Sequence, residues 1–218
     1  MQGLTFVQQL IVWAPPVLLA VTLHEVAHGW AALKLGDTTA FAQGRLSLNP
    51  LRHVDPVGTV LVPAVLLLVG GFIFGWAKPV PVDYRQLRDP RRDMALVAVA
   101  GPAANIAMAI AWALVLKLAA TGQGLLPAAL VVPLSYMGFA GVTVNIVLAV
   151  LNLLPLPPLD GGRVATGLLP LGPARALARL EPLGLVVLVV LLVSGVLGQI
   201  LGPPVVFLQH LILGMVGS

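Results

Sequence analysis

Residues 6–35 read FVQQLIVWAPPVLLAVTLHEVAHGWAALKL, an apolar run whose second half contains ionisable side chains. A helix needs about 20 apolar residues to cross a bilayer, so this run is long enough for a tilted span. His24, Glu25 and His28 lie within five positions of one another. Each ionisable group inside a membrane helix costs roughly 3 kcal/mol even on lenient scales, so the three need partners, of which a metal ion is the simplest.

The composition places the whole chain in a membrane. Its 218 residues are 59% hydrophobic and 9% charged, and the mean hydropathy is +1.01. Ordinary globular domains have about 25% charged residues, so a soluble fold of this size could not bury so much apolar surface. Further apolar runs cover residues 57–76, 94–120, 127–154 and 183–201. Residues 205–216 are too few for a confident span, and the preceding Pro203-Pro204 pair should break a helix.

The basic residues indicate how the chain is oriented. The net charge is +4, and most of the twelve Lys and Arg residues lie in three blocks, at 36–56, 77–93 and 155–181. The positive-inside rule places these blocks in the cytoplasm, and the N-terminus and the loop near residues 121–124 outside. The chain has no stripe of basic and aromatic residues such as single-stranded nucleic acid requires, so nucleic-acid binding is not expected.

Residues 57–76 lie between two basic blocks, and this arrangement conflicts with a single crossing of the membrane. A full span would place the two blocks in opposite compartments, against the charge rule. We therefore favour a re-entrant segment that turns at Pro63 or at Gly70-Gly71, and a true span remains the alternative. Residues 42–50 partly alternate small or polar with apolar side chains, which is compatible with a short strand of a cytoplasmic β-hairpin.

The pattern His24-Glu25-Val26-Ala27-His28 has the spacing of a metal site on a helix. Residues four apart lie on one helix face, so the two imidazoles can bind one tetrahedral zinc ion. Glu25 lies beside them, where it can take a proton from a water molecule. The chain has no cysteine, so any further metal ligand must be His, Asp or Glu. The alternative is a chance pattern of hydrogen-bonded histidines, which the apolar setting disfavours.

A second motif, NLLPLPPLDGG at residues 152–162, follows a long apolar run. The prolines end the helix, and the glycines permit a turn that brings Asp160 back toward membrane depth. Both motifs arrive at the cytoplasmic end of their spans, which favours Asp160 as the third ligand. The alternative is a loop aspartate that caps a short helix near Gly161.

The two motifs together resemble the site-2 protease family of intramembrane metalloproteases, in its compact bacterial branch without PDZ or CBS domains. The matching patterns are His-Glu-x-x-His and Asn-x-x-Pro-x-Pro-x-x-Asp-Gly, and the resemblance extends to GRLSLNP at 44–50, GWAKPVP at 75–81 and AGPAAN at 100–105. It implies a catalytic core of three helices, at 6–35, 94–120 and 127–154. It also implies one Zn²⁺ per chain bound by His24, His28 and Asp160, with Glu25 as the base and Asn152 contacting the substrate or the oxyanion.

The expected protein is thus an all-α polytopic membrane zinc protease, a single domain with its catalytic core at about 6–170 and further helices at 183–216. Its expected partners are transmembrane substrates and the lipid bilayer, with the active site facing the cytoplasm. An ion transporter would spread ionisable groups along several spans, and an inactive scaffold would have lost Glu25, so both alternatives are disfavoured.

Five other polar residues are assigned less specific roles. His53 and Asp55 are either partners that orient a ligand histidine or solvated loop residues. Asn105 and Asn145 lie within spans and are expected to hydrogen-bond between helices, with substrate binding as the alternative. His210, far from both motifs, is expected at the surface or in packing.

Overall fold

The computed structural model describes residues 5–61, 77–122, 124 and 127–217. Within these ranges the chain forms eight α-helices and no strand. In chain order the helices are α1 (Phe6–Leu35), α2 (Thr39–Ala42), α3 (Pro90–Thr121), α4 (Ala128–Asn152), α5 (Asp160–Leu168), α6 (Leu171–Ala178), α7 (Glu181–Val193) and α8 (Val196–Val216). Shorter helical turns occur at Pro50–Arg52, Pro56–Leu61 and Tyr84–Gln86.

Helices α1, α3 and α4 pack together as the core, which confirms the three predicted helices to within a few residues. Local signals set their ends. Thr5 caps α1 in a reciprocal capping box with Gln8, and Gly36 ends the helix in the left-handed region at φ 118°. Asp89 caps α3 by accepting a hydrogen bond from the backbone of Arg92.

Small residues allow α3 and α4 to lie close together. A side chain at Gly138 would meet Cβ of Leu116 at 2.9 Å, and one at Gly141 would overlap the ring of Trp112. Small residues at helix interfaces are typical of membrane bundles, where close backbone packing replaces the hydrophobic effect. Farther along the same two helices, Val97 of α3 and Leu148 of α4 line the site described below.

Four of the described helices are long and apolar enough to cross a membrane, namely α1, α3, α4 and α8. The pair α6 and α7, bent by 65°, would add a fifth span if the two helices count as one. The prediction of a multi-pass membrane protein is therefore confirmed by the length and composition of these helices.

The expected break at Pro203-Pro204 is wrong. Both prolines lie inside α8, a continuous helix of 21 residues, and the chain instead breaks at Ser194 and Gly195, which has φ 75°. The predicted run at 183–201 is accordingly divided between α7 and α8. Proline removes a backbone N–H, but membrane helices tolerate it where their surroundings satisfy the freed carbonyls, whereas a left-handed glycine readily ends a helix.

The predicted strand at residues 42–50 is also not formed. Residues 45–49 form no strand ladder, and this segment contacts residues 78 and 79 through the side chain of Arg45, which donates to the carbonyls of Lys78 (3.1 Å) and Pro79 (3.3 Å). Pro79 and Pro81 have no N–H to donate, so this neighbour cannot complete a regular ladder. The predicted re-entrant run at 57–76 lies mostly outside the described residues, apart from the π-helical turn at Pro56–Leu61.

Candidate metal centre

Three side chains from distant parts of the sequence meet in the helical core. His24 and His28 lie one turn apart on α1, and Asp160 is the first residue of α5. The two imidazole Nε2 atoms are 3.0 Å apart, and each lies 3.2 Å from Oδ2 of Asp160. All three residues are buried. The structure therefore brings together the three residues that the sequence predicted as metal ligands.

The outward-facing nitrogen of each imidazole has a hydrogen-bond partner. Nδ1 of His28 lies 2.7 Å from the carbonyl oxygen of Val97, which can only accept, so this nitrogen bears the proton. Nδ1 of His24 lies 2.6 Å from Oδ1 of Asn105, which likewise accepts. In both rings Nε2 is then the unprotonated nitrogen, and its lone pair faces the centre. Partners of this kind orient metal-binding histidines.

The centre fits a divalent cation. Its three converging atoms are all acceptors, and Oδ2 of Asp160 is buried without a hydrogen-bond donor. In a tetrahedral zinc site with bonds of about 2.0–2.1 Å, ligand atoms lie about 3.3 Å apart, close to the separations of 3.0 and 3.2 Å seen here. Two imidazoles and one carboxylate are ligands that zinc prefers.

Asp160 would bind a cation as the carboxylate. Its Oδ2 receives no hydrogen bond, and neither of the facing Nε2 atoms bears a proton, so a bound cation is the group that would stabilise this buried charge.

Glycines make room for the ligands. A side chain at Gly101 of α3 would meet Cε1 of His28 at 2.6 Å and Cε1 of His24 at 2.7 Å. A side chain at Gly162 would meet Cα of Pro157 at 2.8 Å, because the start of α5 folds back on the loop before it. The Gly-Gly pair after Asp160 is thus required by close packing.

Glu25 lies beside the centre and is held by a loop. Its Oε2 accepts a hydrogen bond of 2.7 Å from the backbone N–H of Val80. Both residues line a cavity of about 420 Å³ that also contains the three clustered side chains. Most of the remaining lining is apolar and includes Val21, Val97, Leu148, Leu151, Leu185 and Leu188.

Asn152 lines the same cavity at the end of α4, and its amide donates to the carbonyl of Leu148 at 3.0 Å. The cavity also contains a cationic side chain that the sequence argument did not select. Arg163 donates to the phenol oxygen of Tyr84 at 2.9 Å and lies 5.7 Å from the centre of its ring. Burial raises the pKa of Tyr84, so its phenol is neutral when it accepts this bond.

The structure shows where the other polar residues lie. His53 is buried, with Nε2 2.8 Å from the carbonyl oxygen of Ser47, so it is not a solvated loop residue. The carboxylate of Asp55 accepts from the backbone amides of residues 57 and 58. Neither residue orients a ligand histidine, because Nδ1 of His24 contacts Asn105 and Nδ1 of His28 contacts Val97. Asn105 and Asn145 do hydrogen-bond between helices, at 2.9 Å. His210 is exposed on α8.

Comparison with known proteins agrees with this geometry. The model of "Peptidase family M50" matches residues 124–194. The chain is 41% identical over 188 residues to the Bacillus subtilis protein named "Putative zinc metalloprotease YwhC", which covers 86% of this chain and 82% of that protein. The chain belongs to peptidase family M50. It is also 34% identical to "Putative zinc metalloprotease Rip2" of Mycolicibacterium smegmatis over 84% of this chain and 66% of that protein.

The Rip2 protein of Mycobacterium tuberculosis gives a similar match, 34% identical over 81% of this chain and 64% of its own length. No solved structure matches the chain significantly. The M50 membership and the names of these relatives confirm the prediction of a zinc metalloprotease of the site-2 protease type. The cluster of His24, His28 and Asp160 is the part of the described chain that fits the metal.

Proposed function

We propose that this M50 protein is an intramembrane zinc metalloprotease that hydrolyses peptide bonds of transmembrane substrates. The observation that supports this most strongly is the position of the cluster. His24 and His28 lie inside a helix apolar enough to span a membrane, and Glu25 lies beside them in an apolar-lined cavity. A peptidase whose centre lies at membrane depth acts most readily on a chain that is itself in the bilayer.

In this proposal one zinc ion per chain is held by His24, His28 and Asp160. Zinc bound there would polarise a peptide carbonyl and make water a better nucleophile at neutral pH. The outward hydrogen bonds of the two imidazoles keep their Nε2 lone pairs directed at the centre. The ionised Asp160 supplies a negative charge that offsets part of the charge of the cation.

Glu25 is the proposed general base. Its carboxylate accepts a proton from the attacking water and then delivers it to the leaving amine. The Val80 amide holds Oε2 and leaves Oε1 for this transfer. Fixing one oxygen restricts the rotation of the side chain, which keeps the base within reach of the water.

Two side chains in the cavity are proposed to stabilise negative charge on the substrate carbonyl. The amide of Asn152 has two N–H groups and gives one to Leu148, so the other can reach the substrate. Arg163 has five donors, of which the bond to Tyr84 uses one. Donors aimed at a developing oxyanion in a dry cavity stabilise the transition state strongly.

The active site is proposed to face the cytoplasm. His28 lies seven residues before the end of α1, about 10 Å from that end of the helix. That end leads into the basic block at 36–56, which the positive-inside rule places in the cytoplasm. The substrate helix must unwind there, because a helical peptide keeps its carbonyl groups hydrogen-bonded.

Cleavage by purified protein in detergent tests the proposal. A panel of single-span substrates is incubated with wild type, with Glu25→Gln and with Glu181→Gln, which alters an exposed glutamate that does not line the cavity. We expect cleavage by wild type and Glu181→Gln, no cleavage by Glu25→Gln, and equal zinc content in all three. Cleavage by Glu25→Gln at the wild-type rate would exclude the proposed base.

A further inference from the structure

We infer that Asn145 controls zinc affinity indirectly, by fixing the amide of Asn105 and through it the proton position on His24. This inference rests on the proposed zinc site and goes beyond it, because Asn145 does not line the cavity. The three residues lie on three different helices, α4, α3 and α1. Each link between them is a short hydrogen bond, and the direction of each bond is determined by chemistry.

The first link fixes the orientation of Asn145. Its Nδ2 lies 2.8 Å from the carbonyl oxygen of Gly141 in the preceding turn of α4. A carbonyl oxygen can only accept, so the NH₂ group of Asn145 must face it. The amide oxygen, Oδ1, then faces the opposite way, toward Asn105.

The second link fixes Asn105 in the same manner. Its Nδ2 donates to Oδ1 of Asn145 at 2.9 Å and lies 3.3 Å from the carbonyl oxygen of Ala20. Both neighbours are acceptors, so the NH₂ group of Asn105 faces them and its oxygen faces His24. That oxygen lies 2.6 Å from Nδ1 of His24, which must therefore bear the proton.

Reversing the orientation of the Asn105 amide would prevent His24 from binding zinc. If the amide of Asn105 turned over, its NH₂ would face Nδ1 of His24, and the ring proton would have to move to Nε2. A protonated Nε2 cannot bind zinc. The reversal would also place the oxygen of Asn105 against two other oxygens, and Asn105 and Asn145 are fully buried, so water could not compensate.

The two ligand histidines therefore differ in what orients them. His28 is oriented by the Val97 carbonyl, which belongs to the backbone of α3 and needs no further support. His24 depends on two side chains in series. A change at Asn145 should accordingly affect zinc binding through His24 alone and leave the orientation of His28 unchanged.

Asn145→Ser is the variant that removes only the hydrogen bond between Asn145 and Asn105. The serine hydroxyl can still donate to Gly141, the carbonyl one turn earlier, but it is too short to reach Asn105. Asn145→Asp serves as the conservative replacement, because as the neutral acid it donates its O–H to the carbonyl of Gly141 and keeps an oxygen acceptor opposite Asn105. The matched control is Thr143→Val, which removes another interhelical hydrogen bond of α4, the 3.2 Å contact from Gln209.

Zinc dissociation constants are measured in detergent by competition with a chelator, and cobalt(II) spectra report the ligand geometry. We expect Asn145→Ser to bind zinc about tenfold more weakly than wild type, with an altered cobalt spectrum. Asn145→Asp should recover most of the affinity, and Thr143→Val should match wild type. Wild-type affinity and spectrum in Asn145→Ser, or equal weakening in Thr143→Val, would overturn the inference.

A measurement of the proton position on His24 in wild type tests the inference even if Asn145→Ser does not fold. The chain has four histidines, so ¹⁵N-histidine labelling gives few signals, and the His24 signals are identified by their loss in His24→Ala. We expect the proton of His24 on Nδ1 before zinc is added, and a proton on Nε2 would overturn the inference. If wild type binds no zinc at all, the proposed function fails together with this inference.

Discussion

The backbone amide of Val80 donates a hydrogen bond of 2.7 Å to Oε2 of Glu25, joining the segment before α3 to the centre of α1. Val80 stands between Pro79 and Pro81, neither of which has an N–H. The amide of Val80 is therefore the sole backbone N–H among these three positions, and it donates to Glu25, the proposed base. Both prolines also favour an extended backbone, which helps to keep the amide in place.

Replacing Val80 by proline should impair catalysis without removing the metal. Val80→Pro deletes the N–H that holds Glu25, and a hydrogen bond to a charged group contributes about 1.5–3 kcal/mol. If most of that free energy is lost from stabilisation of the transition state, kcat/KM falls roughly 10- to 100-fold. Steady-state cleavage and zinc content are the measurements.

The matched comparison is Val80→Ala, which keeps the N–H and removes only side-chain packing. We expect it to lose far less activity than Val80→Pro, with zinc content unchanged in both. Equal losses in the two variants would show that the side chain, and not the hydrogen bond, is what matters at this position.

A side chain at Gly101 should displace the ligand histidines. Cβ of Gly101→Ala would lie 2.6 Å from Cε1 of His28 and 2.7 Å from Cε1 of His24, closer than van der Waals contact allows. We expect zinc affinity to fall at least about tenfold, as it does when ligand orientation is disturbed. Gly198→Ala in α8 is the control, because a side chain there meets no atom within 4 Å. Wild-type zinc affinity in Gly101→Ala would mean that the imidazoles can move aside.

Substitutions at Tyr84 and Arg163 should lower turnover while leaving metal binding unchanged. Arg163→Gln removes a donor proposed to face the substrate carbonyl, and loss of such a donor costs about 10² in kcat or more. Tyr84→Phe keeps the ring against the guanidinium but removes the phenol oxygen that fixes it, so a smaller loss, about tenfold, is expected. Zinc content should stay at the wild-type level in both. A change in KM alone, with kcat unaffected, would assign Arg163 to substrate binding in the ground state.

Local patterns predicted most of the core. The apolar runs gave α1, α3 and α4 because a membrane span requires length and hydropathy that few other structures share. The spacing of His24 and His28 places both on one helix face, and the prolines before Asp160 indicated where the chain turns back. These features depend on residues that are close in the sequence, so the sequence alone was sufficient to predict them.

What the sequence did not reveal depends on contacts between distant segments. No local spacing indicates that Val80 reaches Glu25 or that Arg163 reaches Tyr84, since 55 and 79 residues separate the partners. The break expected at Pro203 failed for a related reason. Whether a proline ends a membrane helix depends on whether its surroundings satisfy the freed carbonyls, which the sequence does not state.

The most direct test of the zinc centre is X-ray absorption at the zinc edge, combined with metal quantification, on purified wild type, His28→Ala and the surface control His210→Ala. We expect about one zinc per chain in wild type, with two imidazole nitrogens and a carboxylate oxygen at about 2.0–2.2 Å. His28→Ala should lose one imidazole or the metal itself, and His210→Ala should match wild type. A wild-type protein without zinc, or a zinc shell that His28→Ala leaves unchanged, would contradict the assignment of His24, His28 and Asp160 as the ligands.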